Sequence, residues 1–248
     1  MLWYLVKIYL VHVETLQFRD KYLKFVTVSS HHIVRDNQEP ALIIANGESC
    51  DLGLLGDLME WTPYTVVLDG AMQRVLEAGI RCDVWLGDFD SGDEINLQEY
   101  PHLSHIQKVH IENQDLTDLQ KGIEYLIQEG FTGVNIVWAT GKRQDHHLNN
   151  ILTLSKYSER ISLNIIDDYS RIYPCPNLYK KWYQKGTSIS LIPVGEATGV
   201  NTKNLRWNLS NERLFLPNFT SSSNEVLEDG FVEISFKDGH LLVMECWD

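Results

Sequence analysis

Short apolar runs alternate with helical patterns from residue 41 to about residue 155. The runs are rich in β-branched residues, and turn residues follow most of them, as is typical of buried parallel strands. They occupy residues 41–45, 65–68, 84–86, 106–109 and 134–138. Alternating strands and helices predict an α/β domain with a Rossmann-like, mostly parallel sheet over residues 39–158.

Two segments of this part carry apolar residues at helical spacing. The first covers residues 118–129, and the second begins at about residue 145. The apolar positions are Leu119, Ile123, Leu126 and Ile127 in the first segment and Leu148, Ile151 and Leu152 in the second. Each set predicts the buried face of its helix.

The pattern changes after about Tyr157, where helical periodicity stops. Short strand-like runs at 162–166, 188–192, 205–209, 231–236 and 241–246 follow one another, with Asn, Gly, Pro and Ser between them. Consecutive short strands with turn signals predict a small all-β sandwich or barrel. We place this second domain at residues 159–248, with the boundary between Tyr157 and Tyr169.

Residues 1–38 stand outside both patterns. The run 2–13 is apolar but contains Lys7 and His12, and it is too short to span a bilayer. No basic leader precedes it, so an edge strand or an upstream extension is favoured over a signal peptide. We expect an N-terminal extension, of unknown role, at residues 1–38.

The amino-acid composition excludes some classes of function. The 248 residues include 21 Lys and Arg against 34 Asp and Glu, which gives a formal net charge of −13. That balance argues against a nucleic-acid partner, which needs a basic face, and the 44% apolar content argues against disorder. The four cysteines form no CxxC pair, so we expect reduced thiols in a cytoplasmic protein. We also expect no membrane partner.

Acidic residues follow nearly every predicted strand of the α/β part. In open parallel sheets, ligands bind outside the carboxyl ends of the strands, so the loops at those ends are where chemistry is expected. These loops contain Asn46-Gly47, Asp69-Gly70, residues 87–91 (Gly-Asp-Phe-Asp-Ser), residues 113–118 and residues 140–146. Their convergence on one edge is the strongest functional signal in the sequence.

Clustered carboxylates require a cation. Two carboxylates ~4 Å apart repel by roughly 4 kcal/mol at an effective dielectric constant of 20. Asp88 and Asp90 are two positions apart, so they point the same way from an extended segment. Oxygen-rich sites select hard ions such as Mg²⁺, which proteins usually share with substrate phosphates. The edge therefore predicts phosphoryl chemistry.

Each motif taken alone also has a structural explanation. Asp69-Gly70 is typical of a turn, and Thr117 with Gln120 has capping-box spacing. Asp118 would then favour the first helical turn without any ligand. Because all these motifs fall at the same edge of the predicted sheet, separate structural explanations account for them less well.

Lys142 and Arg143 are the basic pair at this edge, either as solvated charges or as contacts for ATP phosphates. Gly141-Lys142 lacks the upstream glycine of a P-loop, and no GxGxxG occurs. Neither a Walker-type kinase nor a dinucleotide enzyme with that fingerprint is indicated.

Six segments, in this order, resemble the thiamine pyrophosphokinase family. Three lie in the α/β part, at 87–91, 114–119 (Gln-Asp-Leu-Thr-Asp-Leu) and 143–146 (Arg-Gln-Asp-His). Three lie in the β part, at 191–195 (Leu-Ile-Pro-Val-Gly), 205–209 (Leu-Arg-Trp-Asn-Leu) and 221–224 (Ser-Ser-Ser-Asn). The resemblance runs from about Ala41 to the C-terminus, and it is the joint order that makes it specific.

The resemblance implies a reaction, its cofactors and an assembly. The family transfers a pyrophosphoryl group from ATP to the thiamine hydroxyl and forms thiamine diphosphate and AMP with Mg²⁺. Family members bind thiamine between the α/β domain of one subunit and the β domain of the other. A homodimer is therefore implied.

It also implies site residues. The catalytic and metal-binding group comprises Asp69, Asp88, Asp90 and Asp118. The group that binds nucleotide and thiamine comprises Asn46, Gly47, Gly70, Gln114, Asp115, Thr117, Arg143, Asp145, Trp207, Ser223 and Asn224. Trp207 would lie against the thiamine rings, with Ser223 and Asn224 on the aminopyrimidine, although Trp207 could instead be a tryptophan of the β core. Asp90 and Asp118 are candidates to accept the hydroxyl proton.

Three positions depart from the family pattern. Ala71 and Lys142 stand where glycine is usual, and Asn113 stands where Asp is common. Other functions would use parts of the same sequence. A Mg²⁺-dependent phosphohydrolase would need only the acidic edge, and a non-catalytic thiamine- or nucleotide-binding protein would need only the binding residues. A sugar-binding β-sandwich would rest on Trp207 alone.

Overall fold

The computed structural model describes residues 39–89, 95 and 103–247. The chain divides into residues 1–35 and 36–248, and all described residues belong to the second unit. The expected N-terminal extension and Asp90 lie outside the described residues.

The first part of the described chain alternates strands with helices, as its sequence pattern predicts. The strands are β1 (Ala41–Ile44), β2 (Thr65–Leu68), β3 (Val84–Gly87), β4 (Gln107–His110), β5 (Gly133–Val137) and β6 (Ser162–Ile166). The helices are α1 (Leu52–Met59), α2 (Met72–Glu77), α3 (Asp118–Gln128) and α4 (Gln144–Tyr157). A 3₁₀ turn at Asp69–Ala71 precedes α2.

These six strands form a parallel sheet in the order β4-β3-β2-β1-β5-β6. The mixed α/β fold with a largely parallel core sheet is thereby confirmed. The placement of residues 162–166 among the antiparallel strands is wrong, because β6 pairs in parallel with β5. A short apolar run does not reveal the direction of its partner strand, and no helix follows β6 to mark it as part of the alternating pattern.

The strand order reverses at β1. From β1 the chain builds β2, β3 and β4 on one side, and β5 and β6 are added on the other. At such a reversal the loops leave in opposite directions and open a crevice outside the carboxyl ends of the strands. Asn46-Gly47 follows β1 and Trp138 follows β5, so these loops border the crevice.

Both faces of the parallel sheet are buried. Ile43, Val66 and Leu86 face α3 and α4 in one core, and Leu42, Val67 and Trp85 face α1 and α2 in another. Successive residues of a strand point to opposite faces, so each strand supplies both cores. This accounts for the continuous apolar runs.

The two predicted helix faces differ in outcome. On α3, Leu119, Ile123 and Leu126 are buried, as predicted. On α4, Ile151 packs against the core as predicted, but the prediction is wrong for Leu148, which is 59% exposed, and for Leu152, which is also exposed. The buried residues of α4 are 153–155 and 157, and the helix packs on β6 and on the strands Ser170–Pro174 and Asp238–Cys246. Its sequence carries two apolar stripes, and the position of the sheet decides which one is covered.

Antiparallel strands continue the sheet beyond β6. They are β7 (Ser170–Pro174), β8 (Leu178–Tyr183), β9 (Ser188–Lys203), β10 (Glu212–Phe215), β11 (Ser221–Glu225), β12 (Gly230–Ser235) and β13 (Asp238–Cys246). The order is β6-β7-β13-β9-β12-β8, with β10 and β11 also paired to β9. These strands enclose a third core that includes Leu191, Val200 and Val232.

The predicted strand at 205–209 is absent. Leu205 makes an isolated bridge to Val226, and the residues after it are irregular. Asn204 and Asn211 have φ of 63° and 56°, which bends the chain at both ends of this segment. The Asn208 side chain also accepts a hydrogen bond from the Leu205 N–H at 3.1 Å, in place of a strand partner.

A buried carboxylate fastens the edge strand β8 to the rest of the β part. Glu245 on β13 accepts hydrogen bonds from the hydroxyls of Tyr173 and Tyr183, each at 2.5 Å, and from the Lys181 ammonium. Burial alone would raise the pKa of Glu245, but the charge of Lys181 and these hydrogen bonds outweigh it and lower that pKa.

Cys50, Cys82, Cys175 and Cys246 are not joined in disulfide bonds. Within the described ranges, no helix has the length and apolar character needed to cross a membrane.

Leu154→Ala tests which stripe of α4 is buried. We expect this change to lower the free energy of unfolding by about 2–5 kcal/mol, because a cavity replaces a fully buried side chain. Leu148→Ala is the matched control in the same helix, with an expected change within about 0.5 kcal/mol. Urea unfolding at a concentration where the chain is monomeric measures both. Equal losses in the two variants would contradict the placement of α4.

Candidate active site

Asp69 is the acid that follows β2. It begins the 3₁₀ turn, and its Oδ2 accepts a hydrogen bond from the Phe89 N–H at 3.1 Å. A Cβ on Gly87 would lie only 2.3 Å from the Asp69 Cβ, so the glycine that ends β3 permits this approach. Phe89 has a φ of 54°, which turns the chain just beyond Asp88. The loops after β2 and β3 are therefore locked together.

Lys121 joins two of the predicted acids. Its ammonium lies 2.8 Å from Asp88 Oδ2 and 3.3 Å from Asp118 Oδ1, and the residue is only 2% exposed. Burial alone would lower the pKa of Lys121, but the hydrogen bond to Asp88 and the negative charge of Asp118 outweigh it and raise that pKa. A buried cation thus offsets the repulsion between the two carboxylates.

The N-terminus of α3 presents Asp118 to this edge. Thr117 is the N-cap, and it exchanges hydrogen bonds with Gln120 in both directions at 3.4 Å, which confirms the capping box. Asp118 occupies the first turn, where the helix dipole favours a negative charge, and its carboxylate is half exposed. The cap therefore sets the direction of an acid that solvent can reach.

Asn46, Gly47 and Gly70 meet at the crevice between β1 and β5. The Gly47 N–H donates to the Trp138 carbonyl at 2.5 Å, and a Cβ on Gly47 would lie 2.3 Å from the Thr140 carbonyl oxygen. A Cβ on Gly70 would lie 2.1 Å from Asn46 Nδ2. Neither position has room for a side chain. We call the group of Asn46, Gly47 and Gly70 the glycine corner.

Arg74 on α2 braces the glycine corner. Its guanidinium donates to Asn46 Oδ1 at 3.0 Å, to the Gly47 carbonyl at 2.9 Å and to Ser49 Oγ at 2.8 Å. It also lies over the Trp138 ring, 4.6 Å from the ring centroid. The side chain of Arg74 on α2 thus holds the loop after β1 in place.

Of the predicted basic pair, Lys142 reaches the glycine corner. Its ammonium lies 3.4 Å from the Asn46 carbonyl oxygen. Gly141 and Lys142 have φ of 73° and 49°, a region that favours glycine, so the glycine usual at position 142 has a conformational reason.

Arg143 and Asp145 pair with each other instead, at 2.6 Å and with both side chains exposed. The hydrogen bond from Arg143 lowers the pKa of Asp145 to about 2.

The remaining predicted residues of the α/β part lie in the exposed loop after β4. Gln114 and Asp115 are exposed, and the Asp115 N–H donates to Asn113 Oδ1 at 2.9 Å. Asn113 therefore supports the turn that leads to Thr117. Ala71, the other departure from the family pattern, is buried in the 3₁₀ turn.

Carboxylate oxygens of the kind that hold Mg²⁺ are present at the edge. Asp88 and Asp118 contact the same ammonium nitrogen, which shows that both carboxylates converge on one point. Oxygen donors from carboxylates fit Mg²⁺ in type, and Mg²⁺ usually takes only one or two of them from the protein. Among the described residues, no three His, Cys, Asp or Glu side chains are grouped as a metal site. A metal role for Asp69, Asp88, Asp90 and Asp118 stays a prediction.

Trp207, Ser223 and Asn224 lie together in the β part. Trp207 is 59% exposed on the irregular segment between β9 and β10, so it is not a tryptophan of the β core. Ser223 is exposed, with a φ of 53°, and its N–H donates to Ser190 Oγ at 2.8 Å. Asn224 is buried and hydrogen-bonded to the backbone of Trp207. An exposed aromatic ring on a braced backbone is suited to stacking.

Two protein-family models match the chain. Residues 55–166 match the thiamin pyrophosphokinase catalytic domain, and residues 177–241 match the thiamin pyrophosphokinase vitamin B1 binding domain. The chain belongs to the thiamin pyrophosphokinase family. The first match ends at Ile166, the last residue of β6, and so includes the strand that the sequence pattern placed in the β part.

Individual relatives in the thiamin pyrophosphokinase family agree with these matches. Thiamine pyrophosphokinase 1 of Oryza sativa subsp. japonica is 28% identical over 159 residues, which are 59% of this chain and 60% of the rice protein. The chain thus aligns with less than two thirds of that relative. The crystal structure of thiamine pyrophosphokinase from Bacillus subtilis superposes with a TM-score of 0.72 at 25% identity, over 85% of this chain and 100% of that one. Yeast thiamin pyrophosphokinase shares the fold, with a TM-score of 0.70 at 17% identity over 86% of this chain and 87% of that one.

Sequence reasoning missed Lys121 and Arg74. Lys121 is three residues after Asp118, a spacing that brings helical side chains together, and this was the available signal for it. Arg74 is a single basic residue shortly after Asp69-Gly70, and nothing in its surroundings separates it from a solvated arginine.

Lys121→Met tests whether the buried cation holds the edge together. We expect it to lower the free energy of unfolding by about 1–3 kcal/mol, because Asp88 and Asp118 lose the charge between them. Arg143→Met removes one cation from an exposed, solvent-screened pair, and we expect no measurable change in stability. Denaturant titration compares the two. If Lys121→Met is as stable as Arg143→Met, Lys121 does not brace the acids.

Proposed function

We propose that this protein is a thiamine pyrophosphokinase, which transfers a pyrophosphoryl group from ATP to the hydroxyl of thiamine and releases AMP. The observation that carries the proposal is the meeting of Asp69, Asp88 and Asp118 at the carboxyl edge of the parallel sheet. This edge stands in a chain that belongs to the thiamin pyrophosphokinase family, where rice and Bacillus subtilis relatives carry that name.

The glycine corner is the proposed site of the ATP phosphates. Gly47 and Gly70 allow the loops after β1, β2 and β5 to pack closely here, and Asn46 is held in place by Arg74. Lys142 adds positive charge beside Asn46. A triphosphate bound here would lie on exposed backbone beside positive charges whose positions are fixed. Both the opposite charge and the fixed geometry would stabilise it.

The transfer is an in-line displacement at the β-phosphorus. The thiamine hydroxyl oxygen forms a bond to that phosphorus, the bond to the oxygen of the α-phosphate breaks, and AMP departs with the electron pair. Mg²⁺, when bound by Asp88 and its neighbours, would neutralise charge that develops on the phosphate oxygens. Asp118 is the proposed acceptor of the hydroxyl proton, because its side chain is 51% exposed and its 3.3 Å contact with Lys121 is longer than the 2.8 Å contact that Asp88 makes. Positioning supplies much of the remaining rate enhancement.

Trp207 is the proposed platform for thiamine. The thiazolium ring carries a positive charge, and a flat cation stacks well on an exposed indole. Since Trp207 belongs to the β part and the acids to the α/β part, both parts must contribute to one site.

We assign residues 39–166, up to the end of β6, to a Rossmann-like catalytic domain, and the antiparallel strands after it to a β-sandwich that binds thiamine. We further infer a cytoplasmic homodimer in which thiamine lies between the two domains of different subunits.

The reaction is tested with ATP, Mg²⁺ and thiamine, by following AMP and thiamine diphosphate. We expect both products in equal amounts and only when thiamine is added. Phosphate release in the absence of thiamine would instead identify the edge as that of a phosphohydrolase. Thiamine binding without any product would indicate a binding protein.

Asp88→Asn tests the acidic edge. We expect kcat/KM to fall by ~100-fold or more, because the carboxylate charge near the phosphates is lost. Stability should change by only ~1 kcal/mol, since the amide oxygen can still accept from Lys121. Asp57→Asn, in the exposed part of α1, is the control for the same chemical change and should keep wild-type kinetics. Unaltered Mg²⁺-dependent turnover in Asp88→Asn would refute the assignment.

A further inference from the structure

Trp207 has little regular structure to hold it. It lies on the irregular segment between β9 and β10, and 59% of it is exposed. The Arg206 N–H donates to the Glu225 carbonyl at 2.8 Å, which ties the residue before Trp207 to β11. An exposed ring that must present one face to a ligand needs its own backbone to be fixed as well.

Asn224 supplies that fixation from β11. Its Oδ1 accepts from the Trp207 N–H at 3.1 Å, and its Nδ2 donates to the Trp207 carbonyl at 2.8 Å. One side-chain amide thus pairs with both backbone groups of Trp207, as a neighbouring strand would. Asn224 is only 2% exposed, so these hydrogen bonds are shielded from water.

The side-chain amide of Asn224 makes two further hydrogen bonds inside the protein. Oδ1 accepts a second hydrogen bond, from the Glu225 N–H at 2.9 Å, and Nδ2 donates a second one, to Ser221 Oγ at 3.0 Å. A side-chain amide has two donor hydrogens and an oxygen with two lone pairs. All four capacities of Asn224 are therefore taken by Trp207, Glu225 and Ser221.

We propose that Asn224 is a positioning residue for thiamine that acts through Trp207 and does not touch the ligand. The family resemblance implied a direct hydrogen bond to the aminopyrimidine, but the Asn224 amide has no donor or acceptor left to make one. This inference rests on the proposed function, because it takes Trp207 as the thiamine platform. Ser223, whose side chain is exposed beside Asn224, keeps the direct contact.

A double-mutant cycle between Asn224 and Trp207 tests the proposal. Thiamine affinity is measured by calorimetry on the full chain for wild type, Asn224→Ala, Trp207→Ala and the double variant, so that turnover is not needed. We expect Asn224→Ala to weaken thiamine binding by ~10-fold, with the affinity for an ATP analogue altered by less than ~2-fold. In the Trp207→Ala background, Asn224→Ala should change thiamine affinity by less than ~2-fold, because the ring it positions is gone.

A second measurement, hydrogen exchange, reports directly on how firmly Asn224 holds the backbone of Trp207. Hydrogen exchange of the peptide that contains residues 205–208 should be faster in Asn224→Ala than in wild type. Asn177→Ala, in the exposed turn between β7 and β8, is the matched control and should change neither exchange nor thiamine affinity. Should Asn224→Ala fail to fold, Ser221→Ala loosens the same amide, and we expect a ~2–5-fold loss in the wild-type background only.

Two outcomes would overturn the inference. An equal loss from Asn224→Ala, or from Ser221→Ala, in both backgrounds would show that Asn224 acts on thiamine independently of Trp207. Unchanged thiamine affinity in the wild-type background would show that the brace has no role in binding. Failure of the proposed function is seen separately and first, as an absence of thiamine binding and of thiamine-dependent AMP formation in the wild type.

Discussion

Repulsion between carboxylates at one edge of the parallel sheet is the constraint on which the site depends. Asp88 and Asp118 both contact the buried ammonium of Lys121, which places a positive charge between them from inside the fold. Asp69 is drawn to the same edge because Gly87 leaves room for its side chain and Phe89 donates a hydrogen bond to it. The acids are thus positioned by the protein's own side chains and backbone before any ligand binds.

The backbone is also held by side chains in the two regions that we propose for ligand binding. Arg74 braces the glycine corner through Asn46 and the Gly47 carbonyl, and Asn224 braces the segment that carries Trp207. In both cases a side chain from a neighbouring element replaces the hydrogen bonds that a helix or strand would supply. Exposed, ligand-facing groups can then stand on loops without losing their direction.

Much of this could be predicted because position along a strand decides where a side chain goes. The carboxyl ends of the runs at 65–68 and 84–86 placed Asp69 and Asp88 on one edge, and the capping box located the start of α3. The face of α4 could not be predicted, since both of its stripes are apolar and the sheet covers only one. Residues 205–209 read as a strand because their pattern does not show that Asn204 and Asn211 turn the chain.

Lys121 shows a second reason why some site residues could not be predicted from the sequence. A lysine in an amphipathic helix normally reaches solvent, and only the packing of α3 against β3 turns this one inward toward Asp88. Asn224 is similar, because its residue type suits a ligand contact and a backbone brace equally well. Pairings of this kind depend on three-dimensional neighbours that are distant in sequence.

We propose that one site joins the acidic edge, the glycine corner and the Trp207 platform. The most direct measurement is a crystal structure with thiamine, Mg²⁺ and an α,β-methylene analogue of ATP, which cannot release AMP. We expect the triphosphate against Gly47 and Gly70, the metal in contact with Asp88 or Asp118, and the thiamine rings stacked on Trp207. A nucleotide bound away from the carboxyl ends of β1, β2 and β3, or thiamine that leaves Trp207 uncovered, would contradict it.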